Sequence, residues 1–419
     1  MTKHYLSDTP LTFEELFEEG ENPYDKRRFF KFALWSESKE ADALVDDLIS
    51  EYQIDYSPIR YDSKLQTYRD TLRVILCNAL AYQSMDIIVS LNRSEYGMDK
   101  RYNPASLSYR ITISLLEFLD AKGYIALYRG DKGTKGAKRR SQFEVLPRLT
   151  YRMSTYGFVV SMLSIHTRAE TIELKRAKKL SGYNDRDITY KRRGILKEYN
   201  EFLNTNRKHI TILEHPVTEP IHMRCIFTDN LGRGGRVYGG LWQNTKKLDR
   251  RGITLYGQET VEVDIRNCSL SMALHLSGYE IEGDLYDIQD YPRELVKQAV
   301  QTMFNISARS DKDGINRTAD SLAQSTGENK AYLKQMVQVI YEHYSHLSDW
   351  FFTGQGLMLQ FYDSEVCFRV IEEFIRRRRI ILTIHDSFIV AKEDQGLLEE
   401  TLRDSYQYVI GKLPILRVE

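Results

Sequence analysis

Thr260-Val-Glu-Val-Asp264-Ile-Arg-Asn-Cys-Ser-Leu270 and Ile380-Ile-Leu-Thr-Ile-His-Asp386-Ser-Phe-Ile-Val390 decide the reading of this chain. Each is a run of β-forming residues that closes on an aspartate. Alternating or continuous apolar runs of this length predict strands of a buried sheet. An aspartate after a strand is most often a turn residue or a helix N-cap. Two of them, one at a strand end and one at a hairpin tip, can instead hold two divalent cations. Such a pair of ions clamps the attacking and leaving oxygens of an in-line phosphoryl displacement. The company each aspartate keeps decides between the two readings.

Composition narrows the field. At 419 residues, two or three domains are expected. Charged residues make up 28% and apolar residues 42%, the balance of a water-soluble globular chain. The sequence has no apolar run long enough to span a bilayer, and its polar start does not read as a signal peptide. The four cysteines, Cys77, Cys225, Cys268 and Cys367, lack paired spacing. That fits a reducing cytoplasm and argues against a zinc knuckle or a disulfide framework. Formal net charge is zero, but the charges are unevenly placed. Glu14, Glu15, Glu18, Glu19 and Glu21 cluster near the start, whereas the stretch from Arg101 to Asn200 is strongly basic. A basic block of that kind is either a solvated helical surface or a face that binds a polyanion.

Four segments are expected along the chain. Residues 1–60 form an acidic lead whose role the sequence does not reveal. Residues 61–150 carry an amphipathic helix over Thr71–Tyr82 and a second helix opened by Pro104 and Ala105, with Gly123 past its end. Strands follow at 123–128 and 142–146, joined by the Gly-rich basic loop that holds Lys132, Lys135, Lys138, Arg139 and Arg140. Helix, strand, basic loop and strand in that order resemble a winged helix-turn-helix, in which the loop touches backbone phosphate; an ordinary exposed hairpin is the plainer reading. Residues 151–210 read as basic and helical, with Lys175, Arg176, Lys178, Lys179, Lys191, Arg192 and Arg193. That segment is either a solvated face or a thumb-like grip on duplex phosphates. Residues 211–419 alternate strand-like and helical pieces and form the catalytic candidate.

Within that last segment four motifs follow one another. The first is Asp229-Asn-Leu-Gly-Arg233 with Gly-Gly-Arg236-Val-Tyr238, where glycines let the main chain approach phosphate and a guanidinium binds it in bidentate fashion. The second is the Asp264 segment, with Ser269 and Leu270 just beyond. Third comes Arg293-Glu-Leu-Val-Lys297, which continues to Phe304-Asn305 and puts both cations on one helical face. The fourth is Ile384-His385-Asp386-Ser387-Phe388. In this order, over about residues 225–395, they resemble the family A DNA polymerases and the single-subunit phage-type RNA polymerases. Among these, family A-derived primases of mobile genetic elements are the nearest match.

The resemblance implies an α+β right-hand polymerase fold: a palm with an antiparallel sheet, helical fingers and a thumb-like segment, preceded by the winged-helix-like domain. It implies that Asp264, Asp386 and the carbonyl of Ile265 hold two Mg²⁺ or Mn²⁺ ions. Arg293 and Lys297 would meet the triphosphate of an incoming nucleotide, Lys297 as proton donor to pyrophosphate, and His385 would lie near the primer terminus. Arg233, Arg236 and Tyr238 would hold template and primer. DNA polymerases of the family commonly carry a bulky Glu where this chain has Ser269; a small residue there leaves room for a ribose 2′-hydroxyl. Asn305-Ile306 departs from the family's Tyr-Gly, with Phe304 as a partial substitute for the ring. The implied partners are a DNA template and primer, nucleoside triphosphates, and, as for some relatives, a small single-stranded-DNA-binding protein and a replicative helicase. Three alternatives stay open: a compact phage-type DNA-dependent RNA polymerase, a template-independent terminal transferase, and a non-catalytic DNA-binding replication initiator.

Overall fold

Leu44, Val45, Leu48, Ile49 and Tyr52 recur along the helix Lys39–Asp55 at a spacing that puts them on one face, and all are buried. Ser38 starts this helix by accepting the Ala41 N–H at 3.1 Å. The computed structural model describes residues 27–59, 62–97, 99–130, 140–288 and 290–419. The acidic cluster Glu14–Glu21 and the loop cations Lys132, Lys135, Lys138 and Arg139 lie outside the described residues. The fold is mixed α+β. No described helix is long and apolar enough to cross a membrane.

The chain forms two compact units. The first comprises residues up to Asp185 together with Leu203–Arg224 and Gly239–Ile253. Its core joins the apolar faces of Lys39–Asp55, Asp62–Ala81 and Tyr109–Ala121 to Ile87, Ile125 and Phe143 of a four-stranded sheet. The strands run in the order Arg27–Phe29, Asp86–Ile88, Gln142–Val145, Ile125–Tyr128. The helix, strand and strand expected over 104–146 are present, but the helix begins at Tyr109. Asn103 explains the delay: its amide accepts the Leu107 N–H at 2.8 Å and donates to the Leu107 carbonyl at 2.9 Å, closing a loop before the helix. Gly123, at φ +69°, ends the helix as expected. The Tyr124 N–H bonds the Leu119 carbonyl at 2.8 Å and the Gly123 N–H bonds the Asp120 carbonyl at 2.9 Å, the paired closure that left-handed glycines allow. Arg140, the described cation of the basic loop, stacks over Phe29 at 5.4 Å.

The expectation of a helical stretch over 151–210 needs correcting. Helix is present in Pro147–Thr155 and Asp187–Asn206; between them Ile172–Arg176 and Lys179–Leu180 form a hairpin. Ala177 and Lys178 make its two-residue turn, at φ +46° and +64°. Such turns favour Gly and Asn, so these residue types gave no hint of it.

His222, also in the first unit, has an imidazole buried beside like charges. Burial, then Arg224 and Lys31, push its pKa down to about 3. The unfolded chain takes up that proton near pH 6.5 and the fold does not, so stability is complete above pH 6.5 and declines as pH falls toward 3. By pH 5 the loss is about 2 kcal/mol. His222→Phe is expected to show a smaller drop in melting temperature between pH 7.5 and 5.0 than the unaltered protein; equal drops would remove His222 from the acid response.

The second unit comprises Arg186–Phe202, Cys225–Tyr238 and Thr254–Glu419. Its centre is the strand Gln258–Ile265, which pairs antiparallel with Ser387–Ala391 and, at its far end, with Leu416–Val418. Leu382–Ile384 adds to the outer side of Ser387–Ala391. Val261, Val263 and Ile265 point into the core, and Glu262 and Asp264 take the other face, as period-two alternation requires. The long helix Gly356–Arg376 packs on Gly234–Tyr238, on Cys268–Leu276 and on Gln395–Ile410. Three helices, Arg293–Asn305, Asp311–Thr326 and Lys330–His343, pack on one another between the two aspartate segments.

Candidate active site

The strand register brings the two aspartates together. Asp264 lies directly opposite Ser387, and the Ile265 N–H donates to the Asp386 carbonyl at 3.2 Å. Ile384 pairs with Ser387, so His385 and Asp386 are the whole turn of a two-residue hairpin. His385 holds φ +57°. Hairpin turns with positive φ at the first turn position favour glycine there; a histidine accepts strain that a purely structural turn would avoid. Ser387 fixes the hairpin to its neighbour, its hydroxyl donating to Glu262 Oε1 at 2.7 Å.

The electrostatics around Asp264 are those of a carboxylate held short of solvation. Its Oδ1 is buried and has no hydrogen-bond partner, while Oδ2 accepts the Arg417 guanidinium. Burial raises its pKa, Arg417 opposes the rise and Asp386 adds to it. Burial, then the charge of Arg236, pushes His385 down to about 4, with Asp386 opposing, so the imidazole is neutral at pH 7. Its ring meets Tyr238 edge-on at 5.1 Å. Among the described residues no group of three or more His, Cys, Asp or Glu side chains forms a ready cation cage. Two carboxylates, one of them with a buried unpaired oxygen, still suit Mg²⁺, which binds through one or two carboxylates and completes its shell with water and substrate phosphate.

The other motif residues fall into distinct settings. Arg293 and Lys297 are exposed on one face of their helix, and Arg293 donates to Asp284 at 2.7 Å. Arg266 reaches the same carboxylate at 3.7 Å. Ser269 is half-buried in the first turn of Cys268–Leu276. Phe304 is buried against Phe351 at 5.1 Å and offers no free ring face of the kind its expected role requires. Asn305 is exposed at the end of its helix, donating to the Gln301 carbonyl at 2.8 Å, and its amide fills the space where a side chain on Gly356 would sit. Arg233 donates to the Gly354 carbonyl at 2.5 Å. Arg236 donates to Asp363 at 2.7 Å, a pair whose carboxylate side is 3% exposed.

Four residues the sequence reading passed over complete the picture: Asp363, Arg417, Asp284 and, in a new role, Arg192. Arg192 was expected on a basic surface, yet it is among the most buried side chains of the chain. It donates to the Gly235 carbonyl at 3.0 Å and to Ser364 at 2.9 Å, pairs with Glu365, and lies over Phe227, Phe361 and Phe368. A β-carbon on Gly235 would meet this guanidinium at 2.4 Å, and Gly235 is at φ +82°, so the third glycine of the motif serves the packing of Arg192.

No protein-family model matches the chain, and no curated protein matches it. Among solved structures it is similar to the polymerase domain of Pol1 from M. smegmatis, in complex with DNA primer-template and dNTP. The two are 12% identical with a TM-score of 0.33, over 92% of this chain and 66% of that one. The chain thus spans about 66% of that neighbour's length.

Proposed function

We propose that the protein is a template-directed nucleotidyl transferase of the family A polymerase type, and within that class a primase that starts short chains on single-stranded DNA. The observation that carries the reading is the register of Asp264 beside the His385–Asp386 turn, with one carboxylate oxygen buried and unpaired. Asp264, Asp386 and the carbonyl of Ile265 would hold two Mg²⁺ or Mn²⁺ ions, which when bound supply activation of a 3′-hydroxyl and stabilisation of departing pyrophosphate. Arg293 and Lys297 would bind and orient the triphosphate, Arg293 on leaving Asp284, and Lys297 would hand a proton to pyrophosphate. Tyr238 and a neutral His385 would seat the primer end, with Arg233 and Arg236 behind them. Ser269, being small, would admit a ribose. The winged-helix-like segment and the basic loop up to Arg140 would add a template grip. A small single-stranded-DNA-binding protein and a replicative helicase would be partners in mobile-element replication.

One assay tests this. Protein, single-stranded template, Mg²⁺ or Mn²⁺ and labelled ribonucleotides are combined without primer. Short products complementary to the template are expected, and Ser269→Glu is expected to shift use toward deoxyribonucleotides. Product without template would mark a terminal transferase. Tight DNA binding with no product would mark an initiator.

A further inference from the structure

We propose that Arg417 is a resident counter-cation of Asp264, which a divalent ion must displace, and that Glu419 is the seat to which its guanidinium moves. The proposal rests on the two-cation reading of Asp264 and Asp386. Leu416–Val418 pairs with the end of the Asp264 strand so that Arg417 stands directly opposite Asp264. Both contacting nitrogens of Arg417 address the same oxygen, Oδ2, with Nε at 3.2 Å. A guanidinium that served only to neutralise a carboxylate would gain most by spanning both oxygens. Here Oδ1 is left buried and unpaired.

The strand itself is fixed. Glu419 and Glu262 exchange backbone hydrogen bonds at 2.9 and 3.2 Å, and the Arg266 N–H bonds the Ile415 carbonyl at 2.9 Å. Any movement is therefore of the side chain, which is 53% exposed, whereas Asp264 is 18% exposed. A second acceptor is already within reach: Arg417 lies 2.9 Å from Glu419 Oε1. A half-exposed ion pair is weak, and a doubly charged ion attracts the same carboxylate more strongly than a single delocalised charge. Asp264 is thereby kept paired without metal, and displacing Arg417 sets a threshold for loading.

The test is Mn²⁺ binding to the full chain, read by the electron paramagnetic resonance signal of free Mn²⁺, without nucleotide or DNA. R417Q is expected to bind about threefold to fivefold more tightly than the unaltered protein. R417K, which keeps the charge, is expected to stay within about twofold of it. Equal or weaker binding by R417Q, or equal tightening by R417K and R417Q, would overturn the gate. D264N separates the two layers. If it loses Mn²⁺ while R417Q behaves like the unaltered protein, the gate alone fails; if it retains full Mn²⁺ binding, the two-cation reading fails first.

Discussion

Replacement of Asp264 by Ala is expected to lower nucleotide incorporation about a thousandfold or more, since on the proposed two-cation reading it removes a metal ligand worth several kcal/mol of transition-state stabilisation, and each 1.36 kcal/mol is tenfold in rate. The same protein is expected to melt at or above the temperature of the unaltered one at pH 7.5. The sign follows from the setting of Asp264. Burial raises its pKa more than Arg417 lowers it, so its ionised form is less favourable in the fold than in the unfolded chain. A carboxylate with a raised pKa costs stability once pH exceeds that pKa, and removing it removes the cost. Activity lost while stability is kept is the behaviour of a residue retained for chemistry. DNA affinity is expected to change by less than about threefold, because the cations proposed to meet phosphate are untouched. Full incorporation by Asp264→Ala would end the assignment; a fall in melting temperature that tracks the lost activity would reduce Asp264 to a structural residue. Asp386→Ala is expected to behave alike in activity.

How much of this was legible in one dimension differs from residue to residue. The Asp264 strand and the His385–Asp386 turn were readable because local alternation reports which face a strand buries. Residue types marked a turn at Asp229–Arg233, but neither the strand Gly234–Tyr238 that follows it nor what Gly235 touches. Arg417 was out of reach: a three-residue strand has almost no pattern, and only its register puts it opposite Asp264. Asp363 left a faint signal. Leu359, Asp363, Val366 and Val370 lie on one helical stripe, and all are buried. An aspartate at a core position of such a stripe demands a buried partner. Arg192 left the same signal, since Ile195, Leu196 and Tyr199 continue its face into the core. Counting it with Lys191 and Arg193 as surface charge treated composition where periodicity was the better guide. Phe304 failed in the opposite direction: an aromatic at the end of an amphipathic helix was given to the nucleotide, and the packing gave it to Phe351.

Breaking the Arg236–Asp363 pair is expected to produce the largest loss of stability of any single substitution in the second unit. Asp363 is 3% exposed and Arg236 has an 18% exposed side chain. Asp363→Leu leaves a guanidinium buried without its carboxylate, and removal of one partner from a buried pair costs about 3–5 kcal/mol. Replacing both partners by apolar residues of similar size is often neutral. Arg236→Met combined with Asp363→Leu is therefore expected to recover most of the lost stability, with a coupling of about 2 kcal/mol or more between the two sites in a double-mutant cycle by urea unfolding. Additive losses would show that the two side chains do not depend on each other. The double variant also answers a question the single ones cannot. Sequence reading gave Arg236 to the nucleic acid, while the geometry gives its Nε to Asp363. A folded double variant with unchanged affinity for primed template would make Arg236 a purely structural cation. A folded double variant whose affinity falls about tenfold would mean that the guanidinium keeps its remaining N–H donors for the DNA, with Asp363 holding it in place, as bidentate recognition of phosphate by arginine allows.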